Sequence, residues 1–352
     1  MINKEQFKNI FIAQTPLLDV RAPCEFSQGA FPHTTNLPLL TDEERHDVGL
    51  CYKQQGQEKA IKLGHELVSG EVKQQRIHAW KAYCLDNPNA FLYCFRGGMR
   101  SHLVQGWLKE VGVDIPLIQG GYKALRTFLL EEVAKPFDLI RISGQTGVGK
   151  TDLLLTLTNA IDLEGLANHR GSTFGRNTTV QPAQIEFENL IAVDLLKSNQ
   201  EMPIIVEDEG RYIGRLNLPL EFFDTMKKSA VVLLTSSHEE RVDRIYRDYV
   251  VGQRNSYIEK FPLKGEQLFE EFLISALMRI QKRLGGERYA KLSALMNQGI
   301  RESSETLHKQ WINDILVYYY DPMYQYQIDN KAEKIQFTGN ALEVMHYLKR
   351  KS

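Results

Sequence analysis

The chain has 352 residues, of which 43% are hydrophobic and 25% are charged, and its formal net charge is −1. These values are typical of a folded protein with two domains, and they exclude a disordered or fibrous chain. No uncharged run is long enough to cross a bilayer, and the N-terminus lacks a signal-peptide pattern, so we expect a cytoplasmic protein without a membrane segment. The near-neutral charge requires any surface that binds nucleic acid to be a local patch.

The cysteines Cys24, Cys51, Cys84 and Cys94 include no CxxC pair. This spacing favours reduced thiols over a disulfide framework or a zinc site. We expect at most one or two of them to take part in chemistry.

Short apolar runs at 17–20, 91–95 and 115–121 alternate with helix-like stretches in the first part of the chain. This alternation predicts an α/β domain with parallel strands and crossover helices. Lys135 and Pro136 then interrupt the pattern, so we place a first domain at 1–133 and a second at 137–352.

The second part repeats the alternation, with predicted strands at 137–143, 202–209 and 230–237. Continuous apolar runs of this kind are typical of strands covered on both faces. We expect 238–316 to be mainly helical, and 333–339 to add an edge strand before a last helix from Ala341.

A cysteine loop, CFRGGMRS, begins at Cys94 directly after an apolar run. Backbone N–H groups of Gly97 and Gly98 can converge on the sulfur, and Arg96 and Arg100 add positive charge. We interpret the loop as a site for a persulfide, a perselenide or a tetrahedral anion, with Cys94 as the catalytic residue. The alternative is an unreactive cysteine buried at the end of a strand.

The run from Leu17 to Leu40 resembles the opening of rhodanese domains, and the resemblance covers about residues 1–130. It is carried by Asp19, Arg21, Glu25, Phe26, Gly29, Pro32, Asn36, Leu37 and Pro38. A rhodanese-like domain with a parallel sheet is therefore implied. In rhodanese-like folds, Asp19 and Arg21 would form a structural ion pair and take no part in catalysis.

Two features depart from the rhodanese pattern. Cys94 and Arg100 are separated by five residues, one more than is usual in sulfur-transferring rhodaneses and similar to the loop of related phosphatases. A larger loop would admit a phosphate-sized group. His33 stands where glycine is common, with no obvious catalytic meaning.

A phosphate-binding loop matches G-x-x-x-x-G-K-T, from Gly144 through Gly147 and Gly149 to Lys150 and Thr151. A strand before it and a helix after it fit a P-loop NTPase-like α/β domain with a helical C-terminal region. Backbone N–H groups of the loop would bind a diphosphate, Lys150 would reach the terminal phosphate, and Thr151 would bind Mg²⁺. The alternative is a degenerate loop that no longer binds phosphate.

Three adjacent acids, Glu207, Asp208 and Glu209, end a predicted buried strand. A P-loop fold places its second magnesium-directed acid there. We choose Asp208 as the candidate acid, with Glu207 next, and Thr151 and Asp208 as a possible Mg²⁺ site. The alternative is a solvated turn.

A polar, glycine-broken loop at 166–177 contains His169, Arg170 and Ser172. Such a loop is a candidate for closing over a bound substrate. An ordinary exposed basic turn is an equally good interpretation.

The order of five motifs resembles the tRNA 2-selenouridine synthase family over nearly the whole chain. The motifs are CFRGGMRS, GQTGVGKT, DLEGLANHRGSTFG, VEDEGRYIG and YYYDPMY. The resemblance implies a transferase that geranylates the sulfur of wobble 2-thiouridine in tRNA with geranyl diphosphate, and then replaces S-geranyl with selenium from selenophosphate. It also implies that the loop at Lys150 binds geranyl diphosphate rather than ATP, and that Cys94 accepts or positions selenium. Both compounds are co-substrates, and no tightly bound cofactor is expected beyond possible Mg²⁺.

Contacts to tRNA would require phosphate-binding cations and stacking aromatics. Candidates are Arg241, Arg244, Arg247, Arg279, Lys282, Arg283 and Tyr318 to Tyr320, although solvated charges and packed tyrosines are common alternatives. The helical region 238–316 is a candidate wall for a prenyl pocket, a hypothesis that the prenyl-chain-length specificity of Phe269 or Phe272 variants would test.

Three other functions remain open from the sequence. An ATP-dependent small-molecule kinase fused to a sulfurtransferase would need Lys150 and not Cys94. A phosphatase is suggested by the cysteine loop, although Tyr93 replaces the histidine usual before the nucleophile. A non-catalytic module would need neither Lys150 nor Cys94 for tRNA selenation.

Overall fold

The computed structural model describes residues Met1–Lys351, which fall into two units. The first consists of Met1–Lys135 with Ala183–Lys197, and the second of Pro136–Pro182 with the described residues from Ser198 onward. Among these residues, no helix is long and apolar enough to cross a membrane.

The strands in chain order are β1 Leu17–Asp19, β2 Thr34–Asn36, β3 Phe91–Tyr93, β4 Leu139–Ser143, β5 Ala160–Ile161, β6 Ile204–Glu207, β7 Tyr212–Ile213, β8 Leu216–Asn217, β9 Ala230–Leu234 and β10 Ile335–Gly339. The α-helices are α1 Phe7–Ile12, α2 Pro23–Ser27, α3 Asp42–Gln55, α4 Gln57–Leu67, α5 Gly70–Asp86, α6 Met99–Glu110, α7 Gly121–Val133, α8 Lys150–Leu154, α9 Leu163–Leu166, α10 Gln184–Lys197, α11 Leu220–Lys228, α12 His238–Ile245, α13 Gln253–Lys260, α14 Gly265–Arg279, α15 Gln281–Leu284, α16 Gly286–Glu302, α17 Glu305–Ile315, α18 Asp321–Asp329 and α19 Ala341–Lys349. Lys4–Gln6 and Ala332–Lys334 form 3₁₀ turns, and Tyr246–Gly252 and Leu316–Tyr320 are π-helical.

A parallel sheet with the order β2-β1-β3 forms the centre of the first unit. Leu17, Leu18 and Leu92 are fully buried, as expected for strands covered by helices on both faces. The predicted run at 115–121 adds only isolated bridges, one of them between Leu92 and Leu117. Because β3 ends at Tyr93, Cys94 lies at the carboxyl end of the sheet, where ligands of parallel α/β folds bind.

Helix α10 belongs to the first unit, although it falls within the range predicted for the second domain. Phe187, Ile191 and Leu195 on this helix are buried. Asn189 accepts a hydrogen bond from Arg126 at 2.7 Å. The chain enters the first unit at this helix and returns to the second unit directly after it. Such an excursion has no distinctive sequence signal, which explains why the predicted domain boundary missed it.

The second unit contains a five-stranded parallel sheet with the order β10-β9-β4-β6-β5. The predicted edge strand is confirmed as β10, and the last helix begins at Ala341 as expected. Strand β4 is central, so the loop that follows it opens at the middle of the sheet's carboxyl edge. Helix α8 is only a short turn of helix after that loop.

Helices α12 to α18 and the π-helical segments share one apolar core, which confirms the predicted helical region. Phe269 and Phe272 are buried in this core. They do not line the cavity at the phosphate loop, whereas Ile245 and Tyr249 of the same helical region do. The spacing of apolar residues on α14 reflects helix packing.

Candidate functional site

The phosphate loop depends on three glycines with a positive φ. Gly144, Gly147 and Gly149 have φ values of 153°, 78° and 94°. A Cβ atom at Gly144 would lie 2.5 Å from the carbonyl oxygen of Leu234, and one at Gly147 would lie 2.7 Å from Ile245 Cδ1. Glycine is therefore required both for the turn and for the close approach of neighbouring chain.

Two arginines of α12 donate hydrogen bonds to backbone carbonyl groups of this loop. Arg241 Nε donates to the carbonyl oxygen of Thr146 at 2.9 Å, and Arg244 Nη1 donates to that of Gly147 at 2.6 Å. Arg241 is 3% exposed and forms an ion pair with Asp321 of the YYYDPMY motif. Both arginines thus orient carbonyl groups of the loop, a role that the sequence did not indicate.

A cavity of about 350 Å³ opens over the loop. Its floor includes Gly147, Gly149, Lys150 and Thr151. Apolar side chains also line it: Val148, Leu155, Ile245, Tyr249 and Tyr324. The cavity therefore combines a cationic, amide-rich floor with an apolar wall.

Lys150 is one of three cationic residues that line the cavity, with Arg170 and Arg244. Its ammonium Nζ lies 5.7 Å from the ring centroid of Tyr324 and 3.4 Å from the carbonyl oxygen of Gly144. Burial lowers the pKa of Lys150, but Tyr324, Glu209 and Glu164 outweigh it, so the pKa is raised above its ordinary value. Lys150 is charged at neutral pH and available to an anion.

Acidic side chains face Lys150 across the cavity. Asp162, Glu164 and Glu209 line it, and Thr151 Oγ1 donates to Glu164 Oε2 at 3.4 Å. Burial, together with the nearby Glu209, raises the pKa of Glu164 to about 8. Burial also raises the pKa of Glu209, despite the nearby Lys150.

The predicted acid Asp208 lies elsewhere. It forms ion pairs with Arg141 at 2.9 Å and Lys331 at 2.6 Å, and its side chain is 3% exposed. Burial favours its protonation, but Lys331 and Arg141 outweigh burial and lower the pKa of Asp208. Asp208 is already neutralised by cations and does not line the cavity.

Glu207 is fully buried at the end of β6. Its Oε2 accepts a hydrogen bond from the Leu163 amide at 3.0 Å, while its Oε1 has no partner. Burial and the nearby Asp162 and Glu164 raise its pKa well above the ordinary value. The chain thus gathers mutually repelling carboxyl groups at the mouth of the phosphate loop.

This cluster fits a divalent cation. No group of three or more His, Cys, Asp or Glu side chains within residues 1–351 is arranged as a complete metal cage. Mg²⁺ in phosphate sites takes only one or two carboxylates and completes its shell with phosphate and water. Three features suit such an ion. They are the unpartnered oxygen of Glu207, the carboxyl group of Glu164, whose pKa is raised, and the Thr151 hydroxyl next to Glu164.

Only part of the candidate substrate loop lines the cavity. Arg170 and Ser172 line the cavity, and the Arg170 guanidinium lies 5.3 Å from the Tyr249 ring centroid. His169 forms an isolated bridge with Arg176 and does not line the cavity. Burial and the cations Arg279 and Arg176 lower the pKa of His169, so it is neutral at pH 7.

Three of the other candidate tRNA contacts, Arg247, Arg279 and Arg283, also have partners within the second unit. Arg247 pairs with Asp152 at 3.2 Å, and Arg279 donates to the carbonyl oxygen of Thr173 at 2.9 Å. Arg283 donates to the Tyr319 hydroxyl at 3.1 Å. These contacts tie Arg247, Arg279 and Arg283 to other segments of the same unit.

The cysteine loop of the first unit surrounds a nearly buried thiol. Cys94 is 3% exposed, and its Sγ lies 3.3 Å from Ser101 Oγ. The carbonyl groups of Cys94 and Phe95 accept hydrogen bonds from the amides of Tyr122 and Lys123 at the start of α7. These carbonyls are therefore held by α7 and do not oppose an anion at the thiol.

The amides of residues 96–101 have no protein acceptor anywhere in the described chain. They comprise the loop and the first turn of α6, where unpaired N–H groups and the helix dipole favour an anion. Arg96 lies in the same loop, whereas Arg100 is held by Glu25 in a two-pronged ion pair. The loop therefore keeps unpaired N–H donors, while the backbone oxygen within hydrogen-bond reach of the thiol is the Gly98 carbonyl, which lies 4.0 Å from Cys94 Sγ.

Asp19 and Arg21 form the predicted structural pair. Arg21 Nε donates to Asp19 Oδ2 at 2.8 Å, and the residues are 0% and 1% exposed. Arg21 also donates to the carbonyl oxygen of Gly29, which ties β1 to the following loop. His33 has a φ of 57°, which explains why glycine is common at that position.

The two glycines of the cysteine loop should differ in how well they tolerate a side chain, and substitution by alanine tests this. Gly97 has a φ of 63°, and a Cβ there would lie 2.8 Å from the Gly120 amide nitrogen. A Cβ at Gly98 would meet nothing within 4 Å. We expect Gly97→Ala to lower the free energy of unfolding by about 1–3 kcal/mol, and Gly98→Ala to change it by less than about 0.5 kcal/mol. Thermal unfolding of both variants measures this, and equal stabilities would contradict the packing described.

The raised pKa of Glu164 predicts a pH dependence of stability. Because the pKa of about 8 exceeds the ordinary 4.5, the folded chain binds this proton more tightly, and stability falls as pH rises through that window. In chelator-containing buffer, we expect Glu164→Gln to be more stable than the parent chain at pH 9, by about 1–3 kcal/mol, with little difference below pH 4.5. Exposed Glu221→Gln is the control, and a gap that does not change with pH would refute the assignment.

Comparison with known proteins agrees with these motifs. Residues 137–352 match the family model described as the tRNA 2-selenouridine synthase AAA domain. The tRNA 2-selenouridine synthase of Pseudomonas savastanoi pv. phaseolicola (strain 1448A / Race 6) is 49% identical, covering 99% of this chain and 98% of the relative. Those of Pseudomonas syringae pv. tomato (strain ATCC BAA-871 / DC3000) and Pseudomonas putida (strain W619) are 50% and 49% identical, covering 99% and 98% of this chain and 98% of each relative. The chain therefore belongs to the tRNA 2-selenouridine synthase family.

Proposed function

We propose that this protein is a transferase that replaces the sulfur of wobble 2-thiouridine in tRNA with selenium, by way of an S-geranyl intermediate. The observation that carries the proposal is the presence of two anion-binding loops in one chain. One has a cation and an apolar wall, and the other surrounds a thiol. The named relatives, which are 49% and 50% identical over nearly their whole length, support the overall reaction.

The domain assignment belongs to the same proposal. Residues 1–133 would form a rhodanese-like domain, supported by the Asp19–Arg21 pair and by Cys94 at the carboxyl end of a parallel sheet. Residues 137–352 would form the P-loop domain. Helix α10 would then be a part of the second segment that folds with the first.

The phosphate loop would carry out the first step. The thiocarbonyl sulfur of the uridine attacks carbon 1 of geranyl diphosphate, the carbon–oxygen bond breaks, and diphosphate leaves with the electron pair. The uridine loses its N3 proton to solvent, which leaves a neutral thioether. Lys150 and the loop amides stabilise the leaving diphosphate, because negative charge on it grows as the bond breaks.

The cavity composition favours a prenyl diphosphate over ATP. Leu155, Ile245 and Tyr249 provide apolar area near the loop. In this scheme Arg170 and Ser172 contact the substrate from the candidate loop. Mg²⁺, held by Thr151 and Glu164, would add positive charge to the leaving diphosphate.

The cysteine loop would carry out the second step. Selenium from selenophosphate attacks carbon 2 of the thioether, the carbon–sulfur bond breaks, and geranyl thiolate leaves with the electron pair and takes a proton from water. Hydrolysis of the selenium–phosphorus bond yields phosphate and returns a proton to N3. The unpaired amides of residues 96–101 would bind the selenophosphate oxygens, and the Cys94 thiol would position the selenium for attack on carbon 2 without forming a bond to it.

The mass of the wobble nucleoside tests the proposal. Purified protein is incubated with 2-thiouridine tRNA, geranyl diphosphate and selenophosphate, and with each co-substrate omitted in turn. We expect the S-geranyl nucleoside without selenophosphate and 2-selenouridine with both. An unchanged mass from folded protein would refute the proposal and favour the kinase interpretation.

A further inference from the structure

An apolar cavity of about 310 Å³ lies in the first unit and is distinct from the cavity at the phosphate loop. Its volume falls within the range of small-molecule sites, about 300–1,000 Å³. Apolar side chains dominate its lining, including Leu39, Leu40, Ala60, Ile61, Val68 and Leu103. A cavity with such walls excludes phosphate and favours an uncharged hydrocarbon group.

The cavity adjoins the cysteine loop. Met99, Arg100 and Leu103 line it from the first turns of α6, directly after the loop that begins at Cys94. Arg100 contributes no free charge to the wall, because Glu25 holds its guanidinium in a two-pronged ion pair. An apolar group that enters here therefore lies next to the amides that bind the anion.

A second depression shares part of this wall and is more polar. Arg100 and Tyr52 line both hollows. Arg45, His46 and Lys53 line the second one together with Glu25. Because Glu25 pairs with Arg45 at 3.3 Å, Lys53 is the cation of this hollow that has no ion-pair partner in the described chain. Tyr52 is 57% exposed. Exposed aromatic and cationic side chains suit the base and phosphates of a nucleotide. Together the two hollows match a ligand with one apolar branch and one anionic branch.

We propose that the apolar cavity binds the geranyl chain of the S-geranyl nucleoside while carbon 2 is presented to the cysteine loop. This inference rests on the proposed function, in which a thioether with a long apolar branch must approach Cys94. It assigns a second prenyl site, distinct from the cavity at Lys150. The site holds the leaving thiol group and selects alkylated over unmodified 2-thiouridine.

Gly64 provides a way to fill the cavity. It lines the cavity on α4, and a Cβ there would lie 3.8 Å from Val48 Cγ2, an ordinary contact. Gly64→Leu therefore places its side chain in the cavity without backbone strain. Gly106→Leu is the matched control, because Gly106 is an exposed residue of α6 whose Cβ would meet nothing within 4 Å.

The first test measures single-turnover selenation of anticodon stem-loops that carry S-geranyl- or S-methyl-2-thiouridine, with selenophosphate present. We expect Gly64→Leu to slow the reaction of the geranyl substrate by at least about tenfold and to leave the methyl substrate unchanged. Gly106→Leu should behave as the parent chain with both. Equal effects of Gly64→Leu on the two substrates would overturn the proposal.

The second test does not require selenation. A stem-loop whose geranyl chain ends in a photoreactive diazirine is crosslinked to the whole protein, and the labelled peptides are mapped. Labels within residues 39–68 or at Leu103 would support the proposal. They would do so even if selenophosphate gave no product, and only the second step of the proposed function would then fail. Labels confined to the phosphate-loop cavity would overturn it.

Discussion

Lys150→Ala is expected to lower formation of the S-geranyl nucleoside by at least about 10²-fold. Lys150 is the cation of the phosphate loop itself, and its raised pKa keeps it charged at the moment when diphosphate leaves. Removing it also leaves Glu164 and Glu209 without their compensating charge, so binding of an anion becomes less favourable still. Mass measurement of the wobble nucleoside, with selenophosphate omitted, isolates this step.

Lys228→Ala is the control for this variant, because Lys228 is an exposed residue of α11. It should geranylate tRNA at the rate of the parent chain. If Lys150→Ala unfolds at the parent temperature and still geranylates tRNA, the phosphate loop is not the diphosphate site. A supplied S-geranyl tRNA should remain a substrate for selenation by Lys150→Ala, since that step needs only the cysteine loop.

Cys94→Ala is expected to stop selenation, with a loss of about 10³-fold or more, and to make the S-geranyl nucleoside accumulate. The thiol lies beside the unpaired amides of the loop, so the variant keeps the anion site and loses only the sulfur. The phosphate loop is unchanged, so the first step should continue. The ratio of geranylated to selenated nucleoside measures the effect.

Cys84→Ala is the matched control. Cys84 is a buried thiol of the same unit, and burial raises its pKa to about 11, so it remains protonated and unreactive. We expect normal selenation from it. Full selenation by Cys94→Ala would show that the loop amides act alone and that no sulfur takes part.

The phosphate loop was predictable because its chemistry depends on adjacent residues. The spacing of Gly144, Gly149 and Lys150 and the apolar run before them located strand, loop and helix start. Edge strand β10 was also predictable, since Ile335 and Phe337 alternate with polar residues just before a capped helix. Local patterns of this kind do not require knowledge of distant contacts.

The acids of the cavity were harder to assign because they depend on contacts between distant segments. Glu164 reaches Thr151 by way of β5 and α9, and the DLEG segment carries no signal that marks it as facing the phosphate loop. Asp208 was a poor choice because Arg141 and Lys331 neutralise it, and both lie far away in sequence. A side chain's ion-pair partners cannot be read from its neighbours.

Helix α10 has a consequence for how the chain folds during its synthesis. Domains generally fold as units from the N-terminus as the ribosome releases them. Here the first unit lacks a buried helix until Ala183–Lys197 has emerged, and by then Pro136–Pro182, with the whole phosphate loop, has already left the ribosome. Part of the second unit must therefore remain unfolded in the nascent chain until the first unit has completed its folding.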